Sequence, residues 1–400
     1  MRLKREHIIG VCLELFAIAL ANWQALGGVR TDEAKYLLNI PYPHPPLLRW
    51  VMSATEVMPF QEMFWRLLLA SLLVQAMWLV WDMTHKFHLE DRIVVCAGWL
   101  FSSALLVQAG SIVLAPVTAL EVVVLLWLWS RPEIAARNAA LIGLFWLAAV
   151  FSGFQSVLFY PLVWSILRHT GLSRRKTALY VLAPIGLLLL WLLTNPLVLA
   201  TMAIHSNDGA HIALGERLIG ATRLWIVGGA GVISAVGTYG IVRSKDWALI
   251  GSFLLVTAYV TASVPYPFYA ILFTPLFVAG TWKLFAGRHH PHAFPLLACF
   301  IFASATITWF VQPARLPAGD ARAVMQAIES GTGTTAGAVL ISGPFGHEWQ
   351  YESRRNVMRY KPELVKDASA VVCLAKCAPM FKTKGWKNLT GLDVETWVKK

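Results

Sequence analysis

Apolar runs close to 20 residues long recur along this chain from near its start to about residue 311. An α-helix needs about 20 apolar residues to cross a bilayer. Hydrophobic residues make up 57% of the chain and charged residues only 14%, which excludes a water-soluble protein of this length. The sequence therefore predicts a polytopic α-helical membrane protein. Eleven transmembrane segments are predicted, at about 8–27, 63–82, 93–109, 111–130, 138–152, 154–168, 178–195, 222–242, 248–264, 268–286 and 294–311.

Several predicted segments contain features that an ordinary transmembrane helix lacks. The segments 138–152 and 154–168 are short and are separated by a Ser-Gly-Phe-Gln sequence. Tilted helices, a re-entrant segment and one broken pair all remain compatible with this pattern. Glu121 and Glu14 lie within apolar runs, where an ionisable group is costly and usually faces a cavity or a partner.

The distribution of Lys and Arg predicts the orientation of the chain. With the N-terminus inside, the inner segments contain Arg2, Lys4, Arg5, Lys86, Arg92, Arg131, Arg137, Arg168, Arg174, Arg175, Lys176, Arg243, Lys245, Lys283 and Arg288. The short outer segments then contain Arg30, Lys35, Arg49, Arg66, Arg217 and Arg223. Because Lys and Arg are enriched in cytoplasmic loops, we expect an inner- or plasma-membrane protein with a cytoplasmic N-terminus. Eleven crossings then leave the C-terminus extracytoplasmic.

The composition changes after Phe310 and divides the chain into two predicted domains. Residues 1–312 form the transmembrane domain, and residues 313–400 are polar enough to form a separate extracytoplasmic domain. A helix is predicted over 321–330, a strand over 338–342 before a Gly-Pro turn, and a second strand over 371–374. This second domain is therefore expected to be a small α/β unit.

Cysteine usage agrees with an oxidising location for this second domain. Cys373 and Cys377 lie four residues apart within it, so a disulfide between them is expected, with two free thiols as the alternative. Cys12, Cys96 and Cys299 lie in apolar segments, where a thiol acts as a small hydrophobic group.

The loop after the first apolar segment (residues 28–62, called the first loop) carries the residues most suited to chemistry. Asp32 and Glu33 are adjacent, so on a helix they point about 100° apart and cannot face one ligand symmetrically. Thr31 or Asp32 is alternatively the N-cap of a short helix over 33–38. His44 stands in a Pro-His-Pro-Pro sequence that excludes it from a regular helix. This placement holds an imidazole near the membrane surface, either as a ligand-binding group or as a solvated interfacial histidine.

This combination of Asp-Glu-Ala-x-Tyr and a basic-Pro-Pro-Leu step resembles the GT-C glycosyltransferases. It is most similar to the branch that contains protein O-mannosyltransferases and the aminoarabinose transferase of lipid A. The resemblance implies inverting transfer of a sugar from a polyprenyl-phosphate-linked donor to an extracytoplasmic lipid, glycan or protein. It implies that Asp32 is the catalytic base, that Glu33 is its acidic catalytic neighbour, and that His44 lies near the donor phosphate.

The resemblance extends to a later segment and departs from the family at several places. Tyr266 and Tyr269, in Pro-Tyr-Pro-Phe-Tyr, resemble the tyrosine-containing entry to a late helix and are expected to bind substrate. Leu114 begins a Leu-Ala-Pro where the family usually has Asp-x-Pro. Pro43 occupies the place of a metal-binding glutamate in some relatives. A divalent cation is therefore an open requirement, and a divergent or inactive relative remains an alternative.

Basic groups around the first loop are the candidates for binding the donor phosphate. Lys35, His44, Arg49 and Arg66 cluster there in sequence, and the alternative for the two arginines is anchoring to lipid headgroups. His205 and Arg217 border another predicted outer loop, expected to act as a lid or acceptor loop. The His, Asp and Glu spacing in that loop matches no known metal site.

Two other classes of function fit the composition. A transporter or lipid flippase would use Glu121 and Glu14 near the membrane midplane. A non-catalytic membrane scaffold would bind a partner through its second domain. The net charge of +12 indicates membrane topology and contact with anionic lipid, so no nucleic-acid partner is expected. The expected partners are the lipid-linked sugar donor, membrane lipid and the acceptor.

Overall fold

A computed structural model describes residues 5–40, 44–200, 211–286, 290–311, 318–333, 337–343, 345–353, 356–375 and 385–399. Most of these residues are helical. The helices before residue 200 are α1 (Arg5–Ala25), α2 (Thr31–Leu37), α3 (Pro46–Ser53), α4 (Gln61–Gln75), α5 (Met77–Met83), α6 (Leu89–Leu100), α7 (Ser103–Gln108), α8 (Leu114–Ser130), α9 (Pro132–Arg137), α10 (Ala139–Ser152), α11 (Tyr160–His169) and α12 (Arg174–Thr194). Those that follow are α13 (Leu214–Gly228), α14 (Val232–Ser244), α15 (Trp247–Ala262), α16 (Thr274–Phe285), α17 (Ala293–Phe310), α18 (Ala318–Thr332) and α19 (His347–Ser353). Short 3₁₀ helices occupy Phe154–Phe159, Pro267–Leu272 and Pro362–Asp367.

Several of these helices are suited to a membrane. Helices α8, α10 and α15 are apolar but shorter than the length a full crossing needs. The chain is therefore a helical protein with several candidate membrane spans, and the number eleven stays a prediction. Within the described part of the chain, five stretches are long and apolar enough to cross a bilayer: Glu6–Ala25, Gln61–Met83, Arg174–Thr194, Pro267–Phe285 and Ala293–Phe310.

Some predicted segments are broken rather than continuous. The segment expected over 222–242 instead falls across α13 and α14, which meet at 98°. The break lies at a Gly-Gly-Ala-Gly sequence, where Ala230 and Gly231 adopt positive φ angles of 51° and 71° that a helix does not allow. A hydropathy pattern reports apolar length and not direction, so it does not register such a bend. The pair predicted over 138–168 is likewise broken, because α10 ends at Ser152 and a 3₁₀ helix precedes α11.

Helices α14 and α16 approach unusually closely. Gly237 and Gly240 on α14 face Phe277 and Gly280 on α16, and a Cβ atom on either glycine of α14 would collide with the facing backbone. Small residues at such a crossing let two helix backbones touch, which is a common way to pack membrane helices. Gly237 lies against Phe277 and Gly240 lies against Gly280, so the contact advances along both helices together. Helices α14 and α16 are therefore parallel.

The C-terminal part is a small α/β unit, as predicted. Its sheet has the order β2-β1-β3-β5-β4, with β1 parallel to β2 and β3 and with β5 antiparallel to β3 and β4. Helix α18 packs on one face through Val324 and Ile328, against Val339 and Ile341 of β1. The predicted strand over 338–342 is confirmed. The strands are β1 (Ala338–Ser342), β2 (Val357–Arg359), β3 (Ala368–Cys373), β4 (Trp386–Leu389) and β5 (Glu395–Lys399).

One member of the predicted cysteine pair lies at the end of strand β3. Cys373, the last residue of β3, is disulfide-bonded, whereas Cys12, Cys96 and Cys299 are free. Cys377, the other member of the predicted pair, lies outside the described residues.

Helix α19 joins the C-terminal unit to the first loop. Tyr351 on α19 is buried in a cluster with Ala34, Tyr36 and Leu37 of α2. The same cluster includes residues of α3, α4 and α8, so the short helices of the first loop lie between the membrane helices and the C-terminal unit. Any ligand of α2 is therefore in reach of both parts of the chain.

Candidate functional site

The candidate site contains helix α2, and the N-cap residue of this helix is Arg30. Glu33 Oε2 accepts a hydrogen bond from Arg30 N at 2.9 Å, which is the Glu half of a capping box. The expectation that Thr31 or Asp32 is the N-cap is therefore wrong, and the helix starts two residues earlier than predicted. Because Asp32 has no capping role, its carboxylate is left for contacts on the helix surface.

Glu33 forms a buried ion pair with Arg66 of α4. The two carboxylate oxygens accept from Arg66 Nη1 and Nη2, both at 2.9 Å, and Glu33 Oε1 also accepts from Ile112 N at 2.9 Å. Both residues are 1% exposed. Glu33 thus uses its oxygens to hold the first loop, α4 and the start of α8 together, and this leaves it poorly placed to meet a substrate.

Arg66 is fully engaged in the same cluster. Its remaining donors go to the carbonyl oxygens of Gly110 and Gly28, at 2.9 and 2.8 Å, and from Nε to Glu62 Oε1 at 2.8 Å. All five N–H groups of the guanidinium therefore have protein acceptors. The expectation that Arg66 binds phosphate or a lipid headgroup is wrong, because the side chain is both buried and saturated.

The ion pair also changes the acidity of Glu33. Burial alone raises the pKa of this carboxyl, but the Arg66 charge and the hydrogen bonds from Arg66, Arg30 and Ile112 outweigh it and hold the pKa below its ordinary value. Glu33 is consequently ionised throughout the physiological pH range.

Asp32 lies on a different face of α2 and is more accessible. Its side chain is 36% exposed, and its Oδ1 accepts from Lys35 Nζ at 3.0 Å. Positions three and four residues apart share a helix face, so Asp32, Lys35 and Tyr36 point to the same side of α2. This face presents a carboxylate, an ammonium and a phenol together.

Tyr36 links this face to His44. The Tyr36 hydroxyl and His44 Nδ1 are hydrogen-bonded, and the two rings stack with centroids 5.8 Å apart. Pro46 then starts α3, as expected from the basic-Pro-Pro step. The structure therefore brings the predicted His44 to the same face of α2 as Asp32, with Tyr36 orienting its imidazole.

Arg49 adds a cation to this group. Its Nη1 donates to Ile40 O at 3.0 Å, while its buried Nε has no hydrogen-bond partner among the described residues. Burial lowers the pKa of Arg49, and its interaction with Tyr36 opposes that shift. A buried N–H group without an acceptor costs free energy, so this arginine is suited to an anionic ligand.

A chain of aromatic rings connects His44 to the second predicted substrate segment. His44 contacts Phe154 at 5.4 Å between ring centroids, Phe154 contacts Tyr259 at 6.1 Å, and Tyr259 contacts Tyr269 at 5.2 Å. Tyr266 lies beside Tyr269 at 6.0 Å. The two predicted tyrosines are therefore joined to the first loop through rings that no local sequence pattern identified.

Helix α19 contributes residues that the sequence analysis missed. The Thr31 hydroxyl donates to Glu348 Oε2, and Gly346 N donates to Glu348 Oε1 at 3.1 Å. Burial and the nearby Lys35 ammonium lower the pKa of His347, and a hydrogen bond with Gln350 and the carboxylates of Glu348 and Asp32 partly oppose this shift. His347 therefore lies close to Asp32 and Lys35 and is neutral at pH 7. Glu348 follows the predicted Gly-Pro turn, but nothing local indicates that this turn meets a loop more than three hundred residues earlier.

An apolar groove begins beside this cluster. It has a volume of about 700 Å³ and lies between α3, α10 and α12. Pro46 and Trp50 of α3 line one side, and Phe151 and Trp191 line the other. Pro46 follows His44 by two residues, so one end of the groove wall is continuous in the chain with the first loop. A groove of this composition can hold a hydrocarbon chain.

The remaining predicted residues lie elsewhere. Arg217, at the start of α13, donates from Nε to Ile212 O at 3.1 Å and also to Ala262 O. It lines a separate cavity of about 460 Å³ between α13 and α15. His205 lies outside the described residues, as does much of the loop expected to roof the site. Among the residues described, no group of three His, Cys, Asp or Glu side chains is arranged to hold a metal ion.

The two membrane carboxylates of the transporter hypothesis have polar neighbours. Glu121 of α8 accepts from the hydroxyls of Ser152 and, at 2.7 Å, Ser156, at the break between α10 and α11. Glu14 of α1 accepts from Gln75 Nε2 at 3.2 Å and from the Ser71 hydroxyl. Each carboxylate is thus hydrogen-bonded within the helix bundle.

These arrangements divide the predicted site into an anchored part and an accessible part. Glu33 and Arg66 form the anchor. Asp32, Lys35, His44 and Arg49, all partly exposed, line the accessible side next to α19, and the buried Tyr36 contacts His44. Comparison of the chain with protein-family models, curated proteins and solved structures finds no match.

Proposed function

We propose that this protein transfers a sugar from a polyprenyl-phosphate-linked donor to an acceptor that approaches Asp32 beside the contact between the first loop and α19. The observation that carries the proposal is the accessible face of α2, where Asp32 pairs with Lys35 and Tyr36 holds His44, two residues before Pro46 on the wall of an apolar groove. A lipid-linked donor needs these three elements together: a base for the acceptor, cations for the phosphate and an apolar surface for the prenyl chain.

Asp32 is the group suited to activate the acceptor. Its carboxylate takes the proton from an acceptor hydroxyl or amine while that atom forms a bond to the anomeric carbon. The bond between the anomeric carbon and the phosphate oxygen breaks on the opposite face, and its electron pair leaves with the polyprenyl phosphate. The anomeric centre is inverted in this single displacement. Asp32 carries this role alone, because Glu33 is occupied by Arg66.

His44 and Arg49 are suited to the leaving phosphate. Tyr36 orients the His44 ring, and Arg49 has a buried Nε–H group that lacks a partner among the described residues. Hydrogen bonds from such groups to a phosphate are strengthened by charge, and they offset the negative charge that builds up as the sugar leaves. The prenyl chain then extends into the groove that starts at Pro46.

A transfer assay with a panel of polyprenyl-phosphate monosaccharides tests the proposal. Asp32→Asn keeps the size of the side chain but removes the base, and the rate should fall by about 10²- to 10⁴-fold. Asp393→Asn, at an exposed position of the C-terminal unit, is the matched control and should leave the rate unchanged. If purified Asp32→Asn protein transfers sugar at the parent rate, the proposal is wrong.

A transporter is the second candidate, because Glu121 lies at a break between membrane helices. Proteoliposome uptake of candidate substrates by Glu121→Gln and Asp32→Asn variants distinguishes the two functions. Uptake that is lost only in Glu121→Gln, with no sugar transfer by the parent protein, would favour transport.

A further inference from the structure

A second polar cavity lies at the ends of α14 and α16, apart from the candidate site. It has a volume of about 210 Å³, and its polar lining comes from Arg243, Ser244, Lys283 and His290. We call this cavity the basic pocket. A water molecule occupies about 30 Å³ in the liquid, so the space equals roughly seven waters and is large enough for a phosphate group.

The basic pocket lies at the far end of the helix bundle from Asp32. Helix α16 directly follows the 3₁₀ helix that contains Tyr269, and its twelve residues cover roughly 18 Å at 1.5 Å per residue. Lys283 lies in its last turn. The close Gly240–Gly280 contact aligns α14 beside α16, so that Arg243 in the last turn of α14 reaches the same level.

The described residues of the basic pocket keep a positive charge after the nearby Asp246 is counted. Asp246 Oδ2 lies 3.4 Å from Lys283 Nζ and offsets one positive charge. Asp246 also caps α15 by accepting from Ala248 N at 3.1 Å. Arg243 is exposed, and it keeps its own positive charge at the edge of the cavity.

His290 lines the basic pocket and carries a buried ring nitrogen without a partner among the described residues. This nitrogen is Nε2, and the ring stacks on Phe285 at 4.4 Å between centroids. A buried ring nitrogen without a partner costs free energy unless a ligand or water satisfies it. Basic residues are common at the C-terminal ends of helices, where they interact with the helix dipole. That preference explains Arg243 and Lys283 but does not explain why the buried His290 Nε2 has no partner among the described residues.

The surroundings of the basic pocket match the boundary between hydrocarbon and headgroups. Lys283 Nζ lies 4.2 Å from the ring centroid of Trp129, and Trp129 packs against Trp282 with centroids 5.5 Å apart. The Trp282 indole donates to Met83 O at 3.0 Å. Tryptophan and lysine concentrate at this depth in membrane proteins, and basic pockets between membrane helices bind phosphate headgroups.

We propose that the basic pocket binds a phosphate group, carried by an anionic phospholipid of the leaflet at this end of the bundle. Arg243 and Lys283 supply the charge, and His290 Nε2 supplies a directed hydrogen bond. This site is independent of the proposed sugar transfer, because none of these residues belongs to the first loop or to α19.

Lipid retention by the full-length protein tests this proposal. The protein is purified and exchanged into phosphatidylcholine nanodiscs, with or without phosphatidylglycerol, or with inorganic phosphate added instead. Thermal unfolding and native mass spectrometry then report stabilisation and bound lipid. The variants are Arg243→Gln and His290→Ala. Arg175→Gln is the matched control, since this exposed arginine lies in the first turn of α12 and does not line the basic pocket.

We expect phosphatidylglycerol to raise the unfolding temperature of the parent and to remain bound on purification. Arg243→Gln should weaken this lipid binding about fivefold, the effect of one cation near a membrane surface, while Arg175→Gln should not. Protection by phosphatidylglycerol alone identifies a lipid headgroup, and protection by inorganic phosphate identifies a soluble phosphate in the same site. The proposal is overturned if neither ligand protects the parent, or if the two pocket variants bind both ligands as the parent does.

Discussion

The two sides of α2 carry neighbouring carboxylates with opposite environments. Glu33 is 1% exposed and bonded to Arg66, whereas the Asp32 side chain is 36% exposed and paired with Lys35. The 100° turn between successive helical residues is enough to send one carboxylate into the protein and the other to the surface. Residue type alone therefore does not separate a structural carboxylate from a reactive one. The burial and the ion-pair partner of each carboxylate make that distinction.

The two sides also depend on each other. The anchored side ties α2 to α4 and to the start of α8, through Arg66 and Ile112. A helix of only seven residues has little stability of its own, so these bonds determine where the accessible side stands. A rigid support of this kind is what a reactive carboxylate needs to hold its position. We therefore expect substitutions on the anchored side of α2 to change stability and substitutions on its accessible side to change activity.

The largest effect on stability should come from the anchored side. Arg66→Met leaves Glu33 charged and buried without a partner, and breaking a buried ion pair in this way typically costs about 3–5 kcal/mol. Denaturant unfolding in detergent micelles measures this change in the free energy of unfolding. Arg137→Met, at an exposed position of α9, should change it by less than about 0.5 kcal/mol. Equal stability of the two variants would contradict the assignment of Arg66 as an anchor.

The same ion pair predicts how stability depends on pH. The pKa of Glu33 in the folded protein lies below its ordinary value of 4.5. Its contribution to the free energy of unfolding is therefore complete above about pH 4.5 and is lost as the pH falls through the folded pKa. In that window the parent should lose up to about 1.4 kcal/mol per pH unit from this one group. Glu33→Gln should remove that part of the slope, which unfolding measurements between pH 3 and 7 would reveal.

The accessible side was the easier one to anticipate from sequence. The spacing of Asp32, Tyr36 and His44 is local, and the helix turn and the proline step act over a few residues. The strand over 338–342 was likewise local, because a short run of apolar residues next to glycine suits a buried strand. Short elements such as these depend mainly on the backbone preferences of a few neighbouring residues, so they can be predicted from the local sequence.

The anchored side and the contact with α19 were beyond such reasoning. The partner of Glu33 is 33 residues away, and Glu348 lies 317 residues from Thr31. Only packing of the whole chain brings these groups together, so the sequence made Arg66 look like a phosphate ligand when it is a structural cation. The bend between α13 and α14 was missed for a related reason, since apolar length carries no information about direction.

A third test separates two roles within the accessible side. His44→Ala should weaken donor binding by about tenfold, because a charge-assisted hydrogen bond to the phosphate acts before the reaction as well as during it. Asp32→Asn should leave donor binding nearly unchanged while the rate falls. Titration with a non-transferable polyprenyl-phosphate analogue measures donor affinity for each variant. His7→Ala, at an exposed position of α1, is the control. Parent-like affinity of His44→Ala would remove His44 from the phosphate site.

The smallest effect should come from His347, where the accessible side meets α19. Burial and Lys35 lower the pKa of this imidazole below its ordinary value of 6.5, so it is neutral above that pH. Protonation as the pH falls through the lowered pKa adds a second cation beside Lys35. The contribution of His347 to the α19 contact is thus present above pH 6.5 and lost at lower pH.

We therefore expect sugar transfer by the parent to decline below pH 6.5 by up to about fivefold through this group, the scale of a partly exposed charge contact of about 1 kcal/mol. His347→Gln cannot gain this charge and should give a flatter profile between pH 5 and 7, while the exposed control His7→Gln should follow the parent. The difference between the two profiles isolates His347 from any other group that titrates in this range. Profiles that coincide for all three proteins would mean that α19 supports the first loop without affecting the reaction.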